Sequence, residues 1–362
     1  MKWTIILIIS FTLVTLLSCE DLITNPSSDL VELCYLKLDD NSNWQIYTNN
    51  RSGTNPQNIS NNSNDDAYSP LWSPNGQYIA FRYDREESSG CDVYLYDVDG
   101  NEKINITSGL TSTESATPEL WSPDCRQLLY YYHKIGETYY YYIMNSDGTD
   151  KRELFESESV KIISFCDEGG SILYTRDQLL CKTNITSITT DIILDFHTIS
   201  NNSIYVDGYN HNTNTILCHE DSTRWNGGGT FLIEKIDLTT MEQDTIVTAE
   251  NNFRILRPVF SNDYSKVVYI ERDYENNISK IILLENGKKI ELNRLTSEDE
   301  LYGFYEIEFS ANDSYIIYTV SLSTGGETAS FESYTHILNI STRKSSLVSK
   351  GCDPHWNPLN NF

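Results

Sequence analysis

Residues 69–81 read SPLWSPNGQYIAF, and residues 117–130 read TPELWSPDCRQLLY. Each stretch joins an aromatic anchor, Trp72 or Trp121, to a Ser-Pro-Asn/Asp turn and then to an apolar strand. Weaker copies run outward from this pair: SFCDEGGSILY at 164–174, VFSNDYSKVVY at 259–269 and EFSANDSYIIY at 308–318. Aligned on the aromatic, the anchors are Trp72, Trp121, Phe165, Phe260 and Phe309. An aliphatic residue follows seven positions on in every copy (Ile79, Leu128, Ile172, Val267, Ile316), and an aromatic follows two further (Phe81, Tyr130, Tyr174, Tyr269, Tyr318). A sixth copy with Tyr209, Ile216 and Cys218 keeps the first spacing and loses the last aromatic. A seventh anchor, Trp356, stands too near the C-terminus to have a second half. Successive anchors lie 44 to 51 residues apart, a period that marks a repeat architecture.

The strong copies also carry two further strand-like runs, DVYLYD at 92–97 and KINI at 103–106, then TYYYYIM at 138–144 and RELF at 152–155. Asp-Gly turns separate the runs, and alternating apolar residues broken by such turns form antiparallel hairpins. Long helical periodicity is absent. Four short strands per repeat, arranged radially, predict an all-β fold: a seven-bladed β-propeller of four-stranded antiparallel blades, with six blades as the alternative if the eroded region 160–250 holds one fewer. The first segment, Leu33 to Ser60, has three strands and no first one, while the C-terminus has a first strand and nothing else. Together they complete one blade, and closing the ring this way removes two exposed sheet edges. Cys34 and Cys352 then fall on neighbouring strands, offset by about three residues, which disfavours a disulfide.

The Pro-x-Trp-Ser-Pro-Asn/Asp-Gly motif, the strands that follow it and the closing Asn-Ile-Thr resemble the repeat of TolB-type β-propellers, over residues 31–362. Cys125 replaces the turn glycine, and the units from about 160 and 205 depart furthest. The resemblance implies envelope partners without naming one, since propellers host unrelated functions.

Residues 1–18 set Lys2 before an apolar run from Trp3 to Leu17, the pattern of a secretory signal. The run is shorter than the roughly 20 residues a membrane-spanning helix needs. Its end, LLSC at 16–19, resembles the lipobox of bacterial lipoproteins, which implies a diacylglycerol on Cys19 and attachment to the outer membrane, facing the periplasm or the cell surface. Residues 19–30 read as a polar lipidated tether, and residues 31–362 as one propeller domain.

The chain of 362 residues carries 26 basic and 52 acidic residues, a net charge of −26, which excludes a polyanion such as nucleic acid as partner. There is no Gly-x-Ser-x-Gly, no His-Glu-x-x-His and no phosphate-cradling glycine loop, so no catalytic residue, metal ligand or cofactor is assigned. The six histidines are scattered over different units, although an axis can bring distant residues together. Asp97 to Gly100 and Asn145 to Gly148 resemble calcium-loop fragments but lack the remaining ligands and read as turns. The repeated aromatics read as core between blades. Long connections gather on one face of the disc, including those from Glu220 to Gly229 and from Leu322 to Ser333, and Arg224, Trp225 and Phe331 are the binding candidates there. The expected function is a monomeric, non-catalytic interaction module for an envelope protein or glycan. A glycan lyase or hydrolase, or a sensor, acting at the axial channel is the alternative.

Overall fold

The computed structural model describes residues 31–61, 64–85, 90–200, 202–221, 232–249, 253–296, 301–323 and 331–359. Among these, every regular element is a β-strand except two single-turn 3-10 segments, Asp167–Gly169 and Phe196–Thr198. The strands follow one another as antiparallel meanders. In one, Phe253–Phe260 pairs with Lys266–Asp273, which pairs with Ile278–Glu285, which pairs with Lys288–Leu295.

The serine after each anchor explains why the motif recurs. Ser73 Oγ accepts the N–H of Tyr78 at 2.9 Å and donates to Asn75 Oδ1 at 2.7 Å. Ser122 does the same with Gln127 and Asp124, Ser261 with Lys266 and Asp263, and Ser310 with Tyr315 and Asn312. One hydroxyl thus satisfies the first backbone donor of the next strand while locking an Asx side chain across the turn. The residue that closes this turn has positive φ in all four: Gly76 (62°), Cys125 (61°), Tyr264 (58°) and Asp313 (56°).

Five sheets have four strands, and a sixth has eight. The sixth joins the meander that begins at Ala67–Trp72 to the one that begins at Glu114–Trp121, through a parallel pairing of Cys91 with Ser115. This corrects the expectation of seven separate blades, or of six: five four-stranded blades stand alone. The physical cause is Arg85. Its guanidinium donates to the carbonyls of Leu110, Thr111 and Glu114 on one side and of Cys91 on the other, and its Nε pairs with Asp92 at 3.1 Å. That clamp draws the two meanders close enough to share a bridge.

The chain ends do meet. Cys352–Trp356 pairs antiparallel with Leu33–Leu38, with Leu33 opposite Trp356, Cys34 opposite His355 and Leu36 opposite Cys352. The offset leaves Cys34 and Cys352 as free thiols. Gly351, at φ 155°, admits the chain to this sheet, because a Cβ there would collide with the carbonyl of Leu36.

The core is a set of clusters between neighbouring sheets rather than one central mass. Trp72 packs with Cys34 and Ile46 of the closing sheet, Trp121 with Val93 and Leu95, Phe165 with Leu129 and Ile143, and Phe309 with Val268 and Ile281. Trp356 closes the circuit against Ile317 and Ile337. The reading of the repeated aromatics as core holds for these five, which are buried, whereas Tyr209 and Phe260 are half-buried. A left-handed backbone costs a non-glycine residue about 1–2 kcal/mol, and glycine's greater freedom in the unfolded chain returns part of that. Cys125→Gly is therefore expected to stabilise the protein by about 0.5–1 kcal/mol, read as a higher urea midpoint at unchanged slope, and a lower midpoint would contradict this account of the turn.

Candidate axial binding site

The first strand of each meander touches the first strands of its two neighbours, and the series closes from Cys352–Trp356 back to Ala67–Trp72. These strands form the inner wall around the axis. In all of them the register slips shortly before the anchor: between Tyr68 and Leu71, Pro118 and Leu120, Ile162 and Ser164, Val206 and Gly208, Leu256 and Val259, and Tyr305 and Ile307. A bulge leaves a residue out of the ladder and re-aims its side chain. The bulged positions include Glu119, Asp207, Arg257 and Glu306, and Asp353 stands at the same place in Cys352–Trp356, where the pairing with Leu33–Leu38 slips. Arg257, Glu306 and Asp353 have φ of 50°, 33° and 50°.

The charges alternate around the wall. Lys161 meets Asp207 at 3.3 Å, and Arg257 meets Glu306 at 4.0 Å. His355 is held between two carboxylates, with Nδ1 at 2.9 Å from Glu308 Oε2 and Nε2 at 3.4 Å from Asp353 Oδ1. Burial works against its charge, but these hydrogen bonds and the two carboxylates hold His355 well above the usual histidine range. Asp353 is likewise lowered despite burial, by His355 and Arg257, while burial raises Glu306. Behind this group Cys352 is pushed up to about 12 by burial and by Glu306 and Asp353. His355 still leaves 37% of its side chain open, so the cluster can be reached from solvent. On the other side of the axis, Asp207 also accepts from His219 at 2.5 Å.

Chemically, the wall offers fixed charges of both signs to a polar ligand. Donation from both ring nitrogens, to Glu308 and to Asp353, would leave His355 no lone pair for a metal or for a proton. Among the described residues, no three His, Cys, Asp or Glu side chains converge to hold a metal ion. The Asp97 turn is a turn, its Oδ1 accepting the N–H groups of Asp99 and Gly100.

Of the residues singled out in the sequence, Cys19, Arg224 and Trp225 lie outside the described residues. Phe331 is not in a loop: it opens the strand Phe331–Asn339 and pairs with Ser323. Extended pairing there runs two residues further than the pattern indicated. The axial charges were missed, although their signal was present: Glu119 and Asp207 stand two residues before their anchors, and Arg257, Glu306 and Asp353 three before theirs. The histidines are indeed dispersed, with His133 stacked on Tyr139 at 4.5 Å and His197 against Asp195.

The class defined by these sheets is a β-propeller. No family model matches the chain, and no curated protein sequence matches it. Among solved structures it is similar to TolB from Acinetobacter baumannii, at 16% identity over 92% of this chain and 68% of that one, with a TM-score of 0.49. It is similar to oligogalacturonate lyase from Vibrio parahaemolyticus, at 10% identity over 89% and 85% of the chains, with a TM-score of 0.56. It is also similar to prolyl oligopeptidase B from Galerina marginata, at 11% identity and a TM-score of 0.58, where it covers 91% of itself and about half (52%) of the other chain. Likenesses this distant in sequence establish the fold and leave the chemistry to the residues.

Glu119 has no ion-pair partner among the described residues, and burial pushes it up to about 7. A carboxyl raised in the folded state favours folding fully below its unfolded value, near 4.3, and loses that contribution as pH rises through 7. Glu119→Gln is therefore expected to match the parent's melting temperature near pH 4 and to exceed it at pH 8. Parallel melting curves would count against the assignment.

Proposed function

We propose that this chain is an exported cell-envelope protein whose propeller is a non-catalytic binding module, with the charged axial wall as its site. The observation that carries this reading is His355 clamped between Glu308 and Asp353. An imidazolium whose two N–H groups are both committed to fixed carboxylates suits recognition: general-base catalysis and metal ligation need a free nitrogen, and general-acid catalysis needs an N–H turned to the substrate. Fixed charges of alternating sign suit a protein segment or a glycan rich in polar groups. Arg224, Trp225 and Phe331 are proposed as rim contacts on the long-loop face. The likeness to an oligogalacturonate lyase is one of fold, and no arrangement of side chains described above favours the lyase reading over binding.

Side-chain nitrogen NMR at pH 7 is expected to show His355 doubly protonated, and Arg257→Glu to lose the envelope partner captured by crosslinking on intact cells without loss of folding. A neutral His355 ring, together with polysaccharide turnover that disappears in His355→Gln, would overturn the binding reading. We further propose that Cys19 carries the lipid. Cys19→Ser is then expected to move the protein from the membrane fraction to the soluble one and to abolish incorporation of an alkyne-labelled fatty acid. A variant that stays membrane-bound and labelled would sink the assignment.

A further inference from the structure

A cleft of about 320 Å³ opens between the strand Lys288–Leu295 and the neighbouring sheet of Leu301–Phe309, Tyr315–Ser323, Phe331–Asn339 and Lys344–Lys350. It lies between two blades, away from the axis, and its argument is independent of the axial reading. Its walls are apolar: Leu295, Val320, Leu322 and Leu347, with the rings of Phe304 and Tyr334. Leu347 is 55% exposed at the mouth. This volume falls within the range of small-molecule sites, which pair an apolar lining with a few placed polar groups.

The polar groups here form a chain whose direction can be worked out. Asn293 Oδ1 accepts the N–H of Arg294 at 2.8 Å, which orients the amide so that Nδ2 donates to Tyr318 Oη at 2.9 Å. Tyr318 is 1% exposed, and among the described residues its hydroxyl has one other partner, Ser345 Oγ at 2.6 Å. If Ser345 donated to it, the Tyr318 proton would be buried without an acceptor, which costs more than a made bond gains. Tyr318 therefore donates to Ser345, and Ser345 donates on to His336 Nδ1 at 3.4 Å. The ring of His336 lies against that of Tyr318, with centroids 5.6 Å apart and planes 23° from parallel. Burial lowers the His336 imidazole below its ordinary value, so it is neutral at pH 7 and carries its one proton on Nε2. The relay thus ends in an N–H donor on His336, in a lining with no charged side chain.

We propose that this cleft binds a small neutral ligand that combines an aromatic or branched aliphatic body with one carbonyl oxygen, the oxygen accepting from His336 Nε2. The neutral lining decides against a carboxylate, since an anion buried there has no cation to meet it. The His336 donor decides against a pure hydrocarbon, which leaves that N–H without a partner.

The test uses the full-length protein and three probes of similar shape: acetophenone, ethylbenzene and benzoate. Saturation-transfer NMR and titration are expected to rank acetophenone first, by about fivefold over ethylbenzene, the ratio that one neutral hydrogen bond supplies. His336→Phe keeps a ring against Tyr318 and removes the donor, so the two uncharged probes should then bind alike. Leu347→Trp, made at an exposed position, should fill the mouth and weaken all three, and it decides the matter should His336→Phe fail to fold. The proposal is overturned if no probe binds the parent protein, if benzoate binds best, if His336→Phe keeps the preference for acetophenone, or if Leu347→Trp binds all three unchanged.

Discussion

Everything in this protein depends on the pairing of its two ends. A four-stranded sheet buries both faces only when it has a neighbour on each side, so a ring of sheets with one gap leaves two apolar faces in water. The strand Cys352–Trp356 fills that gap by joining Leu33–Leu38, and Trp356 carries the join into the interior against Ile317 and Ile337. The pairing makes a clasp from residues more than 300 positions apart. Gly351 is where the clasp needs a residue without a Cβ, because the backbone of Leu36 passes directly against it.

A closed ring forces the first strands of its meanders toward one line, and that crowding shapes the site. Their bulges turn residues out of the ladders toward the axis, where unlike charges neutralise one another across adjacent strands. The protein is strongly acidic as a whole, at −26, yet its axis is no uniform negative well: Lys161, Arg257 and His355 stand among Asp207, Glu306, Glu308 and Asp353. Such pairs are partly withdrawn from water, so each carboxylate needs its cation, and removing one partner leaves the other poorly solvated. The interblade cleft has the opposite character, with apolar walls and a neutral hydrogen-bonded relay. One fold thus holds two chemically distinct recessed surfaces, one charged on the axis and one neutral between blades.

Much of the architecture was legible in the chain. The anchors, the aliphatic seven residues on and the aromatic two further repeat because every sheet solves the same packing problem, and Trp72, Trp121, Phe165 and Phe309 are buried accordingly. The Ser-Pro-Asn/Asp-Gly turn was legible because its serine hydroxyl acts within five residues. The missing strands at the two ends, and the offset that keeps Cys34 from Cys352, followed from the same register. The axial site was legible only in part. Its bulged residues sit two or three positions before the anchors, but polar residues in a strand do not announce that a bulge will turn them inward.

What the sequence determined by itself was local and periodic: strand, turn, repeat and the apolar faces, all set by interactions spanning a few residues. The tertiary structure decided what distance along the chain conceals. Arg85 reaches carbonyls 25 to 29 residues away and fuses two meanders into one eight-stranded sheet. Glu308 meets His355 across 47 residues, and Asn293 meets Tyr318 across 25. These contacts exist because neighbouring repeats pack face to face, and each is realised only once the two meanders it joins have folded against one another.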